Sequence, residues 1–118
     1  MIPYFCGEEA FCKIPSEQSL EKAIDNIEKH YLFVGVLEEF ELSLRVFEEL
    51  LPSFFTGSAR LFKQNYDMLL YSGKTKFKIP PTEATIKALS RTKQIKYEMR
   101  LYKHVTKLFY QKVAELDL

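Results

Sequence analysis

Tyr31-Leu32-Phe33-Val34-Gly35-Val36, followed by Leu37-Glu38-Glu39 and an amphipathic run to Leu51, is the stretch on which the reading of this chain turns. Six consecutive residues without a charge, rich in aromatic and β-branched types, predict a strand buried on both faces, as in a parallel sheet covered by helices. Gly35 permits a turn or the close approach of another element, and Glu38 and Glu39 then fall in a first helical turn, where negative charge suits the macrodipole. The unit reads as strand, tight turn, helix. Such units build sheets from several strands, and only one further stretch of this chain has strand character. The expectation is therefore a mainly helical segment, about five helices with one or two strands, forming part of a larger α/β protein.

Upstream, Pro15-Ser16 marks a helix entrance with Ser16 as cap, and Leu20, Ala23, Ile24 and Ile27 recur at helical spacing. Downstream, Phe40, Leu44, Phe47 and Leu51 form one apolar stripe, with Leu42, Val46 and Leu50 beside it. Pro52 ends that helix. Ser58 to Gln64 is expected to be a short helix, and Asn65 to Gly73, lacking a sustained period, a loop. Thr82 can cap a helix lined by Ile86 and Leu89, and Lys93 to Leu116 repeats apolar residues over a length of roughly 35 Å. Met1 to Phe5 carries no helix start signal and reads as the tail of a preceding segment.

Cys6-Gly7-Glu8-Glu9-Ala10-Phe11-Cys12 closes a short loop. The spacing suits a local disulfide contributing roughly 2 kcal/mol in an oxidising compartment. Two reduced buried thiols, or half of a zinc site, are the alternatives. Zinc calls for about four ligands, and the other candidates, His30 and His104, stand at unsuitable spacing.

A formal charge of +1 conceals a segregation. Residues 1–59 hold 4 Lys/Arg against 11 Asp/Glu, a net of −7, and residues 60–118 hold 13 against 5, a net of +8. The basic half can meet an anionic ligand, or the two halves can simply solvate different faces. Lys74-Thr75-Lys76-Phe77-Lys78-Ile79 alternates strictly, so an extended backbone would send three ammonium groups one way and Thr75, Phe77 and Ile79 the other. It is either a lysine-protected edge strand or a loop facing phosphate or sulfate. Gly73-Lys74-Thr75 echoes the end of a P-loop without the upstream glycine or strand, which excludes a Walker motif. Lys96, Arg100, Lys103 and Lys107 form a second basic stripe on the last helix. No apolar run reaches the length of a membrane span, and no signal peptide is visible.

Taken together, Ile2-Pro3-Tyr4-Phe5-Cys6-Gly7 with Cys12, Val34-Gly35-Val36-Leu37-Glu38-Glu39, Leu51-Pro52, Phe54-Phe55, Gly57, Lys74-Thr75 before Pro81, and Tyr97-Glu98 with Tyr102 resemble the glycosaminoglycan uronosyl 2-O-sulfotransferases. The family includes the heparan sulfate and uronyl 2-O-enzymes, and the ending of this chain is more similar to the uronyl branch. The resemblance implies a P-loop-like α/β enzyme, anchored by one transmembrane helix in the Golgi membrane with its catalytic domain in the lumen. It implies transfer of a sulfuryl group from 3′-phosphoadenosine-5′-phosphosulfate to the 2-hydroxyl of a uronic acid in heparan, dermatan or chondroitin chains, with no metal, no nucleic-acid partner and homotrimers as in heparan-acting members.

By the same resemblance Cys6 and Cys12 form a disulfide, Lys74 and Thr75 border the donor's 3′-phosphate, and Lys76 and Lys78 border the sulfated chain. The family's anchor, phosphosulfate loop and catalytic histidine lie upstream of these residues, and neither His30 nor His104 matches the catalytic position. Gly73 stands where heparan-acting relatives carry an arginine. Residues 1–118 are accordingly expected to be the C-terminal part of a single sulfotransferase domain, without a catalytic residue and inactive alone. The rival reading is a small basic helical module that binds a polyanion, nucleic acid or sulfated glycan, without catalysis. Thiol titration of secreted material is expected to find no free cysteine, and two free thiols would count against the luminal reading.

Overall fold

In the computed structural model, which describes residues 1–118, every regular element is a helix. Two compact units emerge, Met1–Val34 with Pro81–Leu108, and Gly35–Pro80 with Phe109–Leu118.

The first unit opens with α1 (Ile2–Cys6), which the sequence reading missed. Its start signal is Pro3 in the first turn, where a missing N–H removes only a donor that has no intrahelical partner. The Ile2 N–H, an orphan donor at this helix start, gives its hydrogen to Glu98 Oε1 at 2.9 Å. At the other end Asn26 Nδ2 donates to the carbonyls of Phe5 and Cys6 at 2.9 and 3.1 Å. A five-residue helix too short to persist alone is thus held at both termini by side chains from elsewhere. Gly7, at φ 121°, turns the chain away, and Cys6 is disulfide-bonded to Cys12 in the 3-10 turn Ala10–Lys13.

Ser16 caps α2 (Glu17–His30) by accepting from the Ser19 N–H, while Ser19 Oγ accepts from the Ser16 N–H, each at 3.2 Å. This is a capping box with Ser in the place usually taken by Glu or Gln. Leu20, Ala23 and Ile27 are buried along one face of α2, with Ile2, Cys6, Cys12, Leu101 and Val105 completing the core of this unit.

The predicted central strand is not one. Residues 31–36 run without regular structure, extended at Tyr31 (φ −108°, ψ 127°) and Val36 (φ −112°, ψ 127°), and pair with no other strand. The expectation of a buried strand is overturned by what occupies its polar groups. Ser43 Oγ accepts from the Val36 N–H and donates to the Val36 carbonyl, both at 3.1 Å, so a helix side chain does locally what a ladder would do. Val36 is buried, while Leu32 is 61% exposed, which a strand covered on both faces would not allow.

In the second unit, the 3-10 turn Leu37–Glu39 leads into α3 (Phe40–Leu50), whose buried residues are Val46, from the second stripe read from the sequence, and Ser43, which belongs to neither stripe. A Cβ on Gly35 would lie 3.1 Å from Ser43 Cβ, a tight contact, so the glycine suits the close approach of α3. Pro52 opens α4 (Pro52–Phe55), and Gly57, at φ 86°, precedes α5 (Ser58–Gln64). The start of α5 is satisfied by Glu48 Oε1, which accepts from the Ala59 N–H at 3.0 Å. Phe47 stacks on Phe55 and Phe40 tilts against Phe62, with centroids 4.9 and 4.8 Å apart.

The expected loop Asn65–Gly73 contains α6 (Tyr66–Ser72). The second strand-like stretch, Lys74–Ile79, is also not a strand: its backbone bends at Lys76 and Phe77. Thr82 caps α7 (Glu83–Ser90) by accepting from the Thr85 N–H at 3.2 Å, and α8 (Lys93–Glu115) follows. No helix is long and apolar enough to cross a membrane.

Ser43→Ala would leave the buried Val36 N–H and carbonyl without their partner, an expected loss of about 1–3 kcal/mol. Urea denaturation of wild type and variant measures it, and an unchanged midpoint would mean that water replaces the hydroxyl.

Candidate functional site

The basic loop begins where α6 ends. Ser72 Oγ donates to the Leu69 carbonyl at 3.0 Å and the Lys74 N–H to the Tyr71 carbonyl at 3.4 Å, a tapering last turn that releases the chain at Gly73. Lys74, Thr75, Lys76 and Lys78 are all exposed, and none of the three lysines has a carboxylate within ion-pairing distance. The greasy back predicted for this ribbon has no seat: Phe77 is 92% and Ile79 90% exposed. Alternation specifies an apolar side only when a surface stands ready to cover it, and the chain supplies none here. What remains is an exposed display of three ammonium groups and one hydroxyl on irregular backbone, able to bind an anion by point charge and hydrogen bond.

A concavity of this unit, about 750 Å³, is formed by apolar residues including Phe40, Phe62, Tyr66 and Leu69, with Glu38, Glu39, Glu41 and Lys63 among its walls. Its carboxylates give it the wrong sign for phosphate or sulfate. Glu39 accepts from the Tyr110 hydroxyl at 2.9 Å, and Glu41 lies 3.9 Å from Lys63.

His104 Nε2 lies 2.8 Å from Glu28 Oε1, and His30 is exposed in the last turn of α2. Arg100 pairs with Glu17, and that hydrogen bond raises the guanidinium pKa above its ordinary value. Lys29 is raised in the same direction by its hydrogen bond to Asp25, 2.8 Å away. No group of three His, Cys, Asp or Glu side chains gathers as a metal site.

Of the side chains that fix local backbone groups, Glu98, Glu48 and Asn26, the last two carried no signal in the sequence. Each reaches a backbone group 11 or more residues away, and a linear pattern cannot report such a partner. Glu98 alone stood out, as a residue shared with the resembled family.

No family model matches the chain. It is 33% identical over its whole length to the uronyl 2-sulfotransferase of Mus musculus, of which it covers 29%. It is 35% identical over 92% of its length to heparan sulfate 2-O-sulfotransferase 1 of Gallus gallus, covering 30% of that protein. With the heparin sulfate O-sulfotransferase of Drosophila melanogaster it shares 33% identity over 95% of its length, 37% of the relative. The chain thus spans about a third of the length of the curated relatives it matches.

Limited trypsin digestion is expected to cut first after Lys74, Lys76 or Lys78, because the loop offers unpaired, exposed lysines on irregular backbone. Mass spectrometry of the earliest fragments reads the sites, and first cuts within α2 or α8 would show the loop to be protected.

Proposed function

We propose, from a kinship with the glycosaminoglycan 2-O-sulfotransferases that runs through at least 92% of its length, that this chain is the C-terminal part of one such sulfotransferase domain. The kinship is the observation that carries the reading. The complete enzyme would take 3′-phosphoadenosine-5′-phosphosulfate as donor and the 2-hydroxyl of a uronic acid residue as acceptor. The donor supplies an activated sulfuryl group, whose S–O bond to phosphate breaks as the sugar oxygen attacks in line. The acceptor proton must pass to a general base, and this chain offers none in position.

What these residues do is narrower. Lys74 and Thr75 hold the donor's 3′-phosphate, the ammonium by charge and the hydroxyl by a donated hydrogen bond. Lys76 and Lys78 hold sulfate or carboxylate groups of the acceptor chain. The loop fits both tasks in chemistry, since its cations are uncommitted to any carboxylate and its backbone is free to adapt. Cationic positioning lowers a barrier only beside the reacting groups, so residues 1–118 are inactive alone. The Cys6–Cys12 disulfide supports an oxidising compartment, in keeping with a Golgi luminal domain held to the membrane by an upstream anchor, as a homotrimer. A polyanion-binding module without catalysis is the second reading, favoured by the same uncommitted lysines.

In the sulfotransferase containing this chain, Lys74→Ala with Thr75→Ala is expected to raise the donor KM tenfold or more, since a hydrogen bond to a charged group is worth about 1.5–3 kcal/mol, with little change in acceptor KM. An unaltered donor KM would remove this loop from the donor site. Residues 1–118 alone are expected to show no transfer, and turnover by them would refute the assignment of the base elsewhere.

A further inference from the structure

We propose that the outward face of α8 is a docking strip for a sulfated glycan chain, distinct from the Lys74–Lys78 loop. The class of its partner rests on the glycosaminoglycan reading above. The strip itself rests on the charge, exposure and pairing of Lys93, Lys96, Arg100, Lys103 and Lys107, all exposed on one helix.

At 3.6 residues per turn these five side chains fall within about 80° of arc, and Lys96 and Lys107 stand about 16 Å apart along the axis. The opposite face is fixed inward by Leu101 and Val105, so the strip faces outward. Its counter-charges are few. Among these cations Arg100 alone has an ion-pair partner, Glu17; on the flank His104 takes Glu28. Residues 81–108 hold 7 Lys/Arg against 2 Asp/Glu, a net of +5. One of those two acids, Glu98, is already committed to the Ile2 N–H.

A helix face that serves only solubility gains from acids placed four residues from its bases. Here the i,i+4 neighbours are Lys96 with Arg100 and Lys103 with Lys107, pairs of like charge that weaken a helix. A row of uncompensated ammonium groups on a rigid rod concentrates a linear polyanion and releases its counterions. Lysines act as point charges, suited to sulfates along a flexible chain. Stacking of nucleic-acid bases wants exposed aromatic faces, and Tyr97, the ring beside Arg100, is half-buried with its face toward that guanidinium. The strip therefore favours a sulfated glycan over single-stranded nucleic acid.

The test is binding of a heparin-derived octasaccharide to residues 1–118 over a salt series, comparing wild type with Lys96→Gln/Lys103→Gln/Lys107→Gln and with Lys74→Gln/Lys76→Gln/Lys78→Gln. The strip variant is expected to lose tenfold or more in affinity at low salt, with the log–log salt slope smaller by about two. Circular dichroism checks that its helices persist, and if they do not, Lys96→Arg/Lys103→Arg/Lys107→Arg, which keeps the charge, must bind as wild type does. Unchanged binding by the folded strip variant overturns the inference, whatever the loop variant does. Loss in the strip variant with none in the loop variant upholds the strip and removes the loop's glycan contact. Equal competition by a single-stranded oligonucleotide of matched charge overturns the choice of a sulfated glycan.

Discussion

A single hydroxyl decides how the middle of this chain is built. Ser43 Oγ serves both polar groups of Val36, accepting from its N–H and donating to its carbonyl. Buried backbone groups must be paired, and strand ladders are the usual means. Here a helix brings the partner instead, close enough that a Cβ at position 35 would lie 3.1 Å from Ser43 Cβ. The apolar stretch before α3 is thereby pinned at Val36 in an extended conformation without a strand ladder.

The same economy recurs at the helix ends. Glu98 satisfies the start of α1, Glu48 the start of α5, and Asn26 the end of α1. Several of the remaining acids are committed as well, Glu17 to Arg100, Glu28 to His104 and Glu39 to the Tyr110 hydroxyl. The basic half has few such commitments. Lys74, Lys76, Lys78, Lys96, Lys103 and Lys107 stand without ion-pair partners, so the basic half of a chain nearly neutral in sum carries cations that no neighbouring carboxylate holds.

Exposure tells where the chain is least self-sufficient. Residues 63–96 are exposed throughout, including Leu69, Leu70, Phe77, Ile79, Ile86 and Leu89. Ile86 and Leu89, at helical spacing in α7, form a helix without finding a core, because helix periodicity is a local property and burial is not. The wrong expectation for Lys74–Ile79 has the same origin: alternation is written in the sequence, but a strand also needs a neighbour's backbone.

The sequence alone determined what depends on residues near one another along the chain. The Ser16 and Thr82 caps, the amphipathic spans of α2, α3 and α8, the stop at Pro52 and the segregation of charge could all be read directly, and the basic loop could be named as a candidate site. Tertiary structure decided the rest: that residues 31–36 are not a strand, that Pro3 starts a helix anchored by Glu98 and Asn26, and that the loop lysines remain uncompensated. The physical reason is that hydrogen-bond partners and burial are supplied by residues distant in sequence, whose approach no local period encodes.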